Sequence, residues 1–455
     1  MLYFDQRQVC FMKSEVRIFP YPDGEHQRVQ MVYPEDWSEL ELLRPEPSEK
    51  AFDCFHHIYK QYLVPAAPWV FGSLVMFRLP EGVEQPYSYT GRYGAVADPL
   101  TAAAIGLRRG VQIMGEQIRF RDEKTRVFWN QLEATDSIRI VRGKLPITTI
   151  IPVGKEAGFL TRTEPEAGMK VNGSFFIMDP FDCATPYDHI GANFGLFVKD
   201  GVVAHPPLFS REALLVRHDG TVTIEQPEIT NLQVQVGGEV FTHGTNAHFY
   251  SRPHRSRTPT GKKTLIIIGR KVAAVCDGSA PIPGSGFAIC PAGECSAKAG
   301  DKVTYLGMEE IRFGIQVGNS IIRDGVKTEK FISRFFNVKG ISRIAFPPSL
   351  YPLDFDRARA ARIAIGADRE GKPVILWAEG AAKLGHKCGE DSCGASLSEM
   401  AEICEAVGLK NAVNLDGGGS AQILINNRRS LMISDRKAED YSESERPVPM
   451  GLIVR

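Results

Sequence analysis

The sequence predicts an α+β chain built on a large mixed or antiparallel sheet with a few packed helices. Three observations predict it. Short β-branched runs such as TTIIPVG, ALLVRHDG, TLIIIGRKVAAVCDG and PVILWAEG end at Gly, Pro or Asp-Gly punctuation. Six Asp-Gly dipeptides occur, and that dipeptide is the strongest short signal for a hairpin turn. Helical periodicity with both end signals is clearest over 396–407. At 455 residues the chain exceeds what one hydrophobic core usually fills, so two domains, or one large domain with an added layer, are expected.

Residues 1–125 carry Pro- and Tyr-rich connections, RPEPSEK, VPAAPW and EQPYSYTGRYG, between short elements, with a helix expected over 48–62. His56 and His57 are adjacent in that helix and face different sides, which argues against a shared metal. This stretch holds no catalytic motif and is assigned as an N-terminal accessory region. Strand-like segments then follow one another from about residue 130, where the second region, 130–455, is taken to begin. The late helix opens at Ser396 with Glu399 as its capping-box partner, repeats apolar residues at Leu397, Met400, Ala401 and Cys404, and stops at Gly408. It feeds a buried strand, NAVNL, then Asp416-Gly417-Gly418-Gly419-Ser420, then the strand-like AQILI and an Asn426-Asn427 turn.

Lys plus Arg equals Asp plus Glu at 54 each, so net charge gives no sign of a nucleic acid or bulk polyanion as partner. Apolar residues at 43% and charged residues at 24% are ordinary for a soluble globular protein. No apolar run approaches the roughly 18 residues of a membrane span. The start lacks a basic segment followed by an apolar one, which predicts a cytoplasmic protein, or a secreted one if the chain is a mature or truncated form. Nine cysteines include two pairs of equal spacing, Cys290/Cys295 and Cys388/Cys393. Free thiols, two local disulfides, or a weakly indicated structural metal at these four residues all fit that spacing. No cofactor is expected. His243 and His248 lie in the polar stretch THGTNAHFYSRPHR, where a solvated loop and a metal pair are both readable.

The three glycines after Asp416 exceed what a two-residue hairpin turn needs, so five Asp-Gly dipeptides are assigned as turns and the sixth is not. A P-loop would require Gly-Lys-Ser/Thr followed by a helix, and a dinucleotide fold also needs a helix here; AQILI excludes both. Glycine amides after a strand can form an anion-binding nest, and a crowded structural turn is the competing reading. Ser420 lacks the nucleophile-elbow pattern and a recognisable histidine partner.

The surrounding segments carry a resemblance. ARIAIGADREGKPVILWAEG, GASLSEMAEICEAVGLKNAVNLDGGGSAQILINN and ERPVPMGLIV, with VNGSFF, NFGLFVKDG and GNSIIRDG upstream, resemble the phosphodiester glycosidase family over about residues 130–455. That family includes the enzyme that uncovers mannose 6-phosphate by removing N-acetylglucosamine from a phosphodiester. The resemblance implies a hydrolase that cleaves the anomeric C–O bond of a sugar-1-phosphodiester and releases free sugar and a phosphomonoester. Its partner would be a small-molecule or glycan-linked sugar phosphodiester. A glycan hydrolase or transglycosylase on a non-phosphorylated glycoside, and a non-catalytic sugar-phosphate binder, are the alternatives.

Chemistry asks for the same residue types. The leaving phosphomonoester has a second pKa of roughly 6, so its departure needs little acid assistance. The site must hold phosphate charge and place a carboxylate near the anomeric carbon. Asp416, Arg362 and Glu379 are the catalytic candidates; Asn172, Gly417, Gly418, Gly419, Ser420 and Arg446 are the substrate-binding ones. The competing readings are a surface cation for Arg362, a turn residue for Glu379, a turn cap for Asn172, and a Glu445–Arg446 ion pair. The loop 380–394, with His386 and one cysteine pair, is expected at the rim of the site, shaping substrate choice.

Overall fold

The computed structural model describes residues 12–46, 157–177, 191–208, 211–252, 257–261, 263–316, 318–328, 359–380, 392–435 and 442–455, with a few single residues between them. Within 47–156 it describes the backbone of six strands together with Glu123 and Arg126. The expected helix over 48–62, residues 381–391 of the rim loop, and Cys388 lie outside the described residues.

The strongest run of β-branched and small residues, Arg362–Asp368, forms the middle of a seven-stranded sheet. It pairs with Pro373–Ala378 on one side and Leu409–Asn414 on the other, both antiparallel. All three strands are buried on both faces, which is why they read as nearly continuous apolar runs. Alternation then sorts their side chains. Ile363, Ile365, Trp377 and Val413 enter the main core, while Ala364, Leu376, Ala378 and Ala412 face the helix Leu397–Val407. Gly366 lets the Leu409–Asn414 strand approach closely: a Cβ there would meet the Asn411 carbonyl oxygen at 2.2 Å. The helix begins and ends as its sequence dictates, with the Ser396–Glu399 capping box formed and Gly408 at φ 88°.

Residues in the stretch assigned as accessory are woven into the sheets that carry the candidate site. Lys13–Pro20 and His26–Tyr33 make a hairpin whose inner strand pairs with Pro373–Ala378. Glu41–Leu43 pairs with Gly451–Val454. That second sheet runs Ile423–Ile425, Met169–Asn172, Gly451–Val454 and Glu41–Leu43 in spatial order. Between them in sequence, residues 197–315 supply three further sheets of five, three and four strands, packed into the same core.

The class differs from the expectation in its balance. The seven-stranded sheet is antiparallel wherever its strands pair, and Leu397–Val407 is the α-helix described along its whole length, so the fold is sheet-rich rather than clearly α+β. The physical reason is connection length: tight turns join antiparallel neighbours, whereas parallel strands need a crossover of a dozen or more residues. Asp200-Gly201 and Asp324-Gly325 show positive φ at both positions, as primed hairpin turns require. No helix among the described residues is long and apolar enough to cross a membrane.

Candidate active site

Asp416 leaves the end of the Leu409–Asn414 strand without leaving the sheet. Ala364 is paired with Asn414, the Leu415 amide donates to the Ile363 carbonyl at 2.8 Å, and the Gly418 amide donates to the Ala361 carbonyl at 2.8 Å. The chain therefore stays tied to its neighbour past the strand end, and the same register sets Asp416 across from Arg362. On the other side the Asp416 amide donates to the Gly173 carbonyl at 3.0 Å.

Asn172 holds both ends of this loop. Its Nδ2 donates to the Asp416 carbonyl at 2.7 Å, and its Oδ1 accepts from the Gln422 amide at 2.9 Å. The side chain is fully buried. Asn172 thus clamps the second sheet to the glycine loop, the capping arrangement that stood beside the sugar-hydroxyl reading.

The glycines also differ from a phosphate nest. Gly418 has φ +57° and spends its amide on Ala361, and the Gly417 amide bonds the Asp416 carboxyl. What the loop needs is closeness of approach. A Cβ at Gly417 would meet the Ala361 carbonyl oxygen at 2.6 Å, and one at Gly419 would meet Asp435 Oδ1 at 2.1 Å and Arg446 Nη2 at 2.3 Å. The sequence reading of a loop with more glycine than a hairpin requires is correct, but two of its three amides are already used inside the protein.

Asp416 is 8% exposed, and its buried Oδ2 has no hydrogen-bond partner among the described residues. Burial pushes its pKa up to about 7; the Ser420 hydroxyl, the Arg446 charge and the Gly417 amide pull the other way, and Asp435 adds to the rise. Ser420 Oγ accepts from Arg446 Nη1 at 3.4 Å and donates its own proton to Asp416. Arg446 grips Asp435 through two parallel bonds, Nε to Oδ2 at 2.8 Å and Nη2 to Oδ1 at 2.9 Å. Beside the Glu445–Arg446 reading, Glu445 accepts from the Thr161 amide at 3.1 Å and lies 3.9 Å from Arg429, and Arg446 pairs with Asp435.

Arg362 is 7% exposed and braced by Nε donating to the Ala395 carbonyl at 3.1 Å, just ahead of the helix. It is a held, buried cation rather than a surface one. Arg446, however, is the cation whose charge acts on Asp416. Glu379 is bonded through both carboxyl oxygens. It is fully buried, and its Oε1 accepts from the Met432 amide at 2.7 Å. Its Oε2 accepts from the Ser392 hydroxyl and from Arg28 Nη1, the latter at 3.4 Å. Both oxygens are thus taken up in tying three segments together.

Four polar groups near the end of the Leu409–Asn414 strand went unassigned in the sequence. Both side-chain atoms of Asn414, Ser174 Oγ and Asn319 Nδ2 are buried and lack partners among the described residues, as does Asp416 Oδ2. The backbone brings them together: the Asn414 amide donates to the Asn319 carbonyl at 2.9 Å, and Ser174 follows Gly173, which binds Asp416. Buried polar groups normally find partners, so such a cluster marks a place for a polar ligand or water. Asn414 stood beside the glycine loop; nothing in the sequence distinguished Ser174, Asn319 or Asp435.

Cys290, Cys295 and Cys393 are free thiols, and Cys290 Sγ lies 3.5 Å from Thr264 Oγ1. No group of three His, Cys, Asp or Glu among the described residues is placed to hold a metal. His243 Nδ1 accepts from the Phe249 amide at 2.9 Å, which occupies one of its two ring nitrogens.

Comparison with known proteins adds three findings. Residues 166–455, well over half of the chain, match the family model described as Phosphodiester glycosidase. The chain is 34% identical over 100 residues to the N-acetylglucosamine-1-phosphodiester alpha-N-acetylglucosaminidase of Mus musculus, covering 22% of this chain and 18% of that protein. For the Homo sapiens protein of the same description the values are 36% over 95 residues, 21% of this chain and 17% of the relative, so less than a fifth of either relative is spanned. The solved catalytic domain of the zebrafish enzyme of that description, auto-inhibited by its pro-peptide, superposes with a TM-score of 0.39 at 12% identity, over 99% of this chain and 85% of that one.

Proposed function

The chain belongs to the phosphodiester glycosidase family, and from that premise we propose that it hydrolyses a sugar-1-phosphodiester at the anomeric C–O bond. The observation that carries the reading is Asp416: a buried carboxyl with one oxygen unpartnered among the described residues and a pKa lifted to about 7. A base poised near the working pH combines a usable deprotonated fraction with driving force for proton transfer. In this reading Asp416 takes a proton from water as the water oxygen bonds to the anomeric carbon. The C–O electron pair leaves with the phosphate, which departs as a phosphomonoester and needs no strong acid.

Arg446 acts through Asp416, opposing its desolvation and holding Ser420 in line, while Asp435 fixes the guanidinium. Arg362, opposite Asp416 in the sheet register, is the cation for the phosphate, and the unused groups of Asn414, Ser174 and Asn319 are the donors and acceptors for sugar hydroxyls. The route through a non-phosphorylated glycoside is less favoured, because it needs a second free carboxyl, and Glu379 is committed elsewhere.

The test is to offer UDP-sugars, alkyl sugar-1-phosphodiesters and plain aryl glycosides and to follow free sugar, with Asp416→Asn and Arg362→Ala alongside. Release from phosphodiesters that falls in both variants is expected. Unchanged turnover in both, or release from aryl glycosides alone, removes the proposal.

A further inference from the structure

A cavity of about 450 Å³, not lined by Asp416, is bordered by Arg44, Glu46, Asn193, His205, Arg270 and Ser285. Met450 also lines it, and the Met450 carbonyl accepts from the Gly173 amide, so one hydrogen bond separates its wall from the backbone partner of Asp416.

Asn193 is the informative residue. It is 4% exposed, and neither Oδ1 nor Nδ2 has a hydrogen-bond partner among the described residues. Its backbone is fixed by a bridge to Phe176, so the amide is held against the cavity. Leaving such a group buried and unpaired is costly, and a ligand that binds it would recover that cost. Arg270, at the turn between Lys263–Ile268 and Lys271–Asp277, adds a buried Nε without a partner among the described residues. Arg44 stands exposed at the rim and donates to the Ala204 carbonyl at 3.3 Å. His205 Nδ1 lies 2.6 Å from the Gly195 carbonyl oxygen, so that nitrogen is a fixed donor and the ring cannot swing away. Ile268, Pro449 and Met450 make part of the wall apolar.

We propose that this cavity is a second binding site, separate from Asp416, for a sugar phosphate. An amide with donor and acceptor both unused matches adjacent hydroxyls, two guanidiniums against one carboxylate favour a phosphate, and apolar wall suits the C–H face of a sugar ring. The volume lies within the range of ordinary small-ligand pockets, roughly 300–1,000 Å³.

The experiment is calorimetric titration of the full chain with glucose 6-phosphate, glucose and inorganic phosphate. Glucose 6-phosphate binds most tightly in the expected result. Asn193→Asp, Arg270→Gln and the exposed Arg44→Gln each weaken it by about tenfold or more, as loss of a charged hydrogen bond or gain of a repelling charge requires. Asp416→Asn leaves it within about twofold. A phosphomonoester released by this chain's own reaction and a free sugar phosphate offer the same chemistry. Displacement of bound glucose 6-phosphate by the phosphomonoester formed during turnover, absent in the Asp416→Asn chain, assigns the first source, and no displacement assigns the second; purely competitive inhibition of sugar release by glucose 6-phosphate overturns the separate site. Failure of the wild-type chain to bind, binding unchanged in folded Arg44→Gln and Arg270→Gln, or binding abolished by Asp416→Asn overturns the site, and none of these bears on hydrolysis at Asp416.

Discussion

Replacing Asp416 with Asn separates the charge of this buried group from its shape. The folded carboxyl titrates at about 7 against an ordinary value of 3.8, because burial disfavours its charged form. Between those two values the unfolded carboxyl has lost its proton while the folded one keeps it. Stability therefore falls as pH rises through that window, by about 1.36 kcal/mol for each pH unit crossed and about 4 kcal/mol in full. Below it the wild-type group is neutral in both states, as Asn is at any pH. Integrating the two titrations, about 2.5 kcal/mol of the loss develops between pH 5 and pH 8. Asp416→Asn should thus gain about that much on the wild type over the same interval, whatever the constant offset between them. Urea unfolding followed by the fluorescence of the buried Trp37 and Trp377 measures it. At the same time sugar release should drop by roughly 10²–10⁴, the usual worth of a positioned base. Parallel stability profiles from pH 5 to pH 8 would refute the desolvated carboxyl, and a variant with wild-type turnover would refute its role as base.

Three further outcomes follow from the same network. For the wild type, kcat/KM for a sugar phosphodiester should rise with pH, reach half its limit near pH 7 and then level, since the base form is required; a profile that falls across this range would make Asp416 an acid. Asp435→Asn removes a negative charge that raises the Asp416 pKa, so the midpoint should move to lower pH, while Arg446→Met should move it higher. Either substitution breaks a buried ion pair and should cost about 3–5 kcal/mol in denaturant titrations; equal midpoints in both variants would remove the electrostatic link. Gly419→Ala places a methyl group where Asp435 and Arg446 now stand, and should abolish turnover in a chain that still shows the strand-rich far-UV spectrum; wild-type kinetics would mean that the loop relaxes freely.

The sequence was informative wherever a local rule decides the outcome. The helix 397–407 needed only its capping box, its apolar spacing and Gly408, all of which are local, and all of which formed. The rejection of a nucleotide loop needed only the residues after Ser420, and the strand Ile423–Ile425 follows as read. The family, too, was legible, because its motif words are contiguous in the chain. The surroundings of Glu379 are not legible in the sequence, for the opposite reason. Its partners Arg28, Ser392 and Met432 come from three separate segments, and no spacing rule connects them. Asn172 can be placed beside the glycine loop from sequence, but a side chain that clamps a loop and one that binds a hydroxyl look alike there.

By itself, then, the amino-acid sequence determined the punctuation of the strands, the capped helix, the glycine loop with its aspartate, and the family those words belong to. Tertiary structure alone decided which groups act together. It wove residues 13–43 into both sheets, matched Arg446 with Asp435, and left Asp416 and Asn193 buried with unused hydrogen-bonding capacity among the described residues. The physical reason is that desolvation and charge pairing depend on distance in space, and strands far apart in the chain become neighbours only when the sheets have closed.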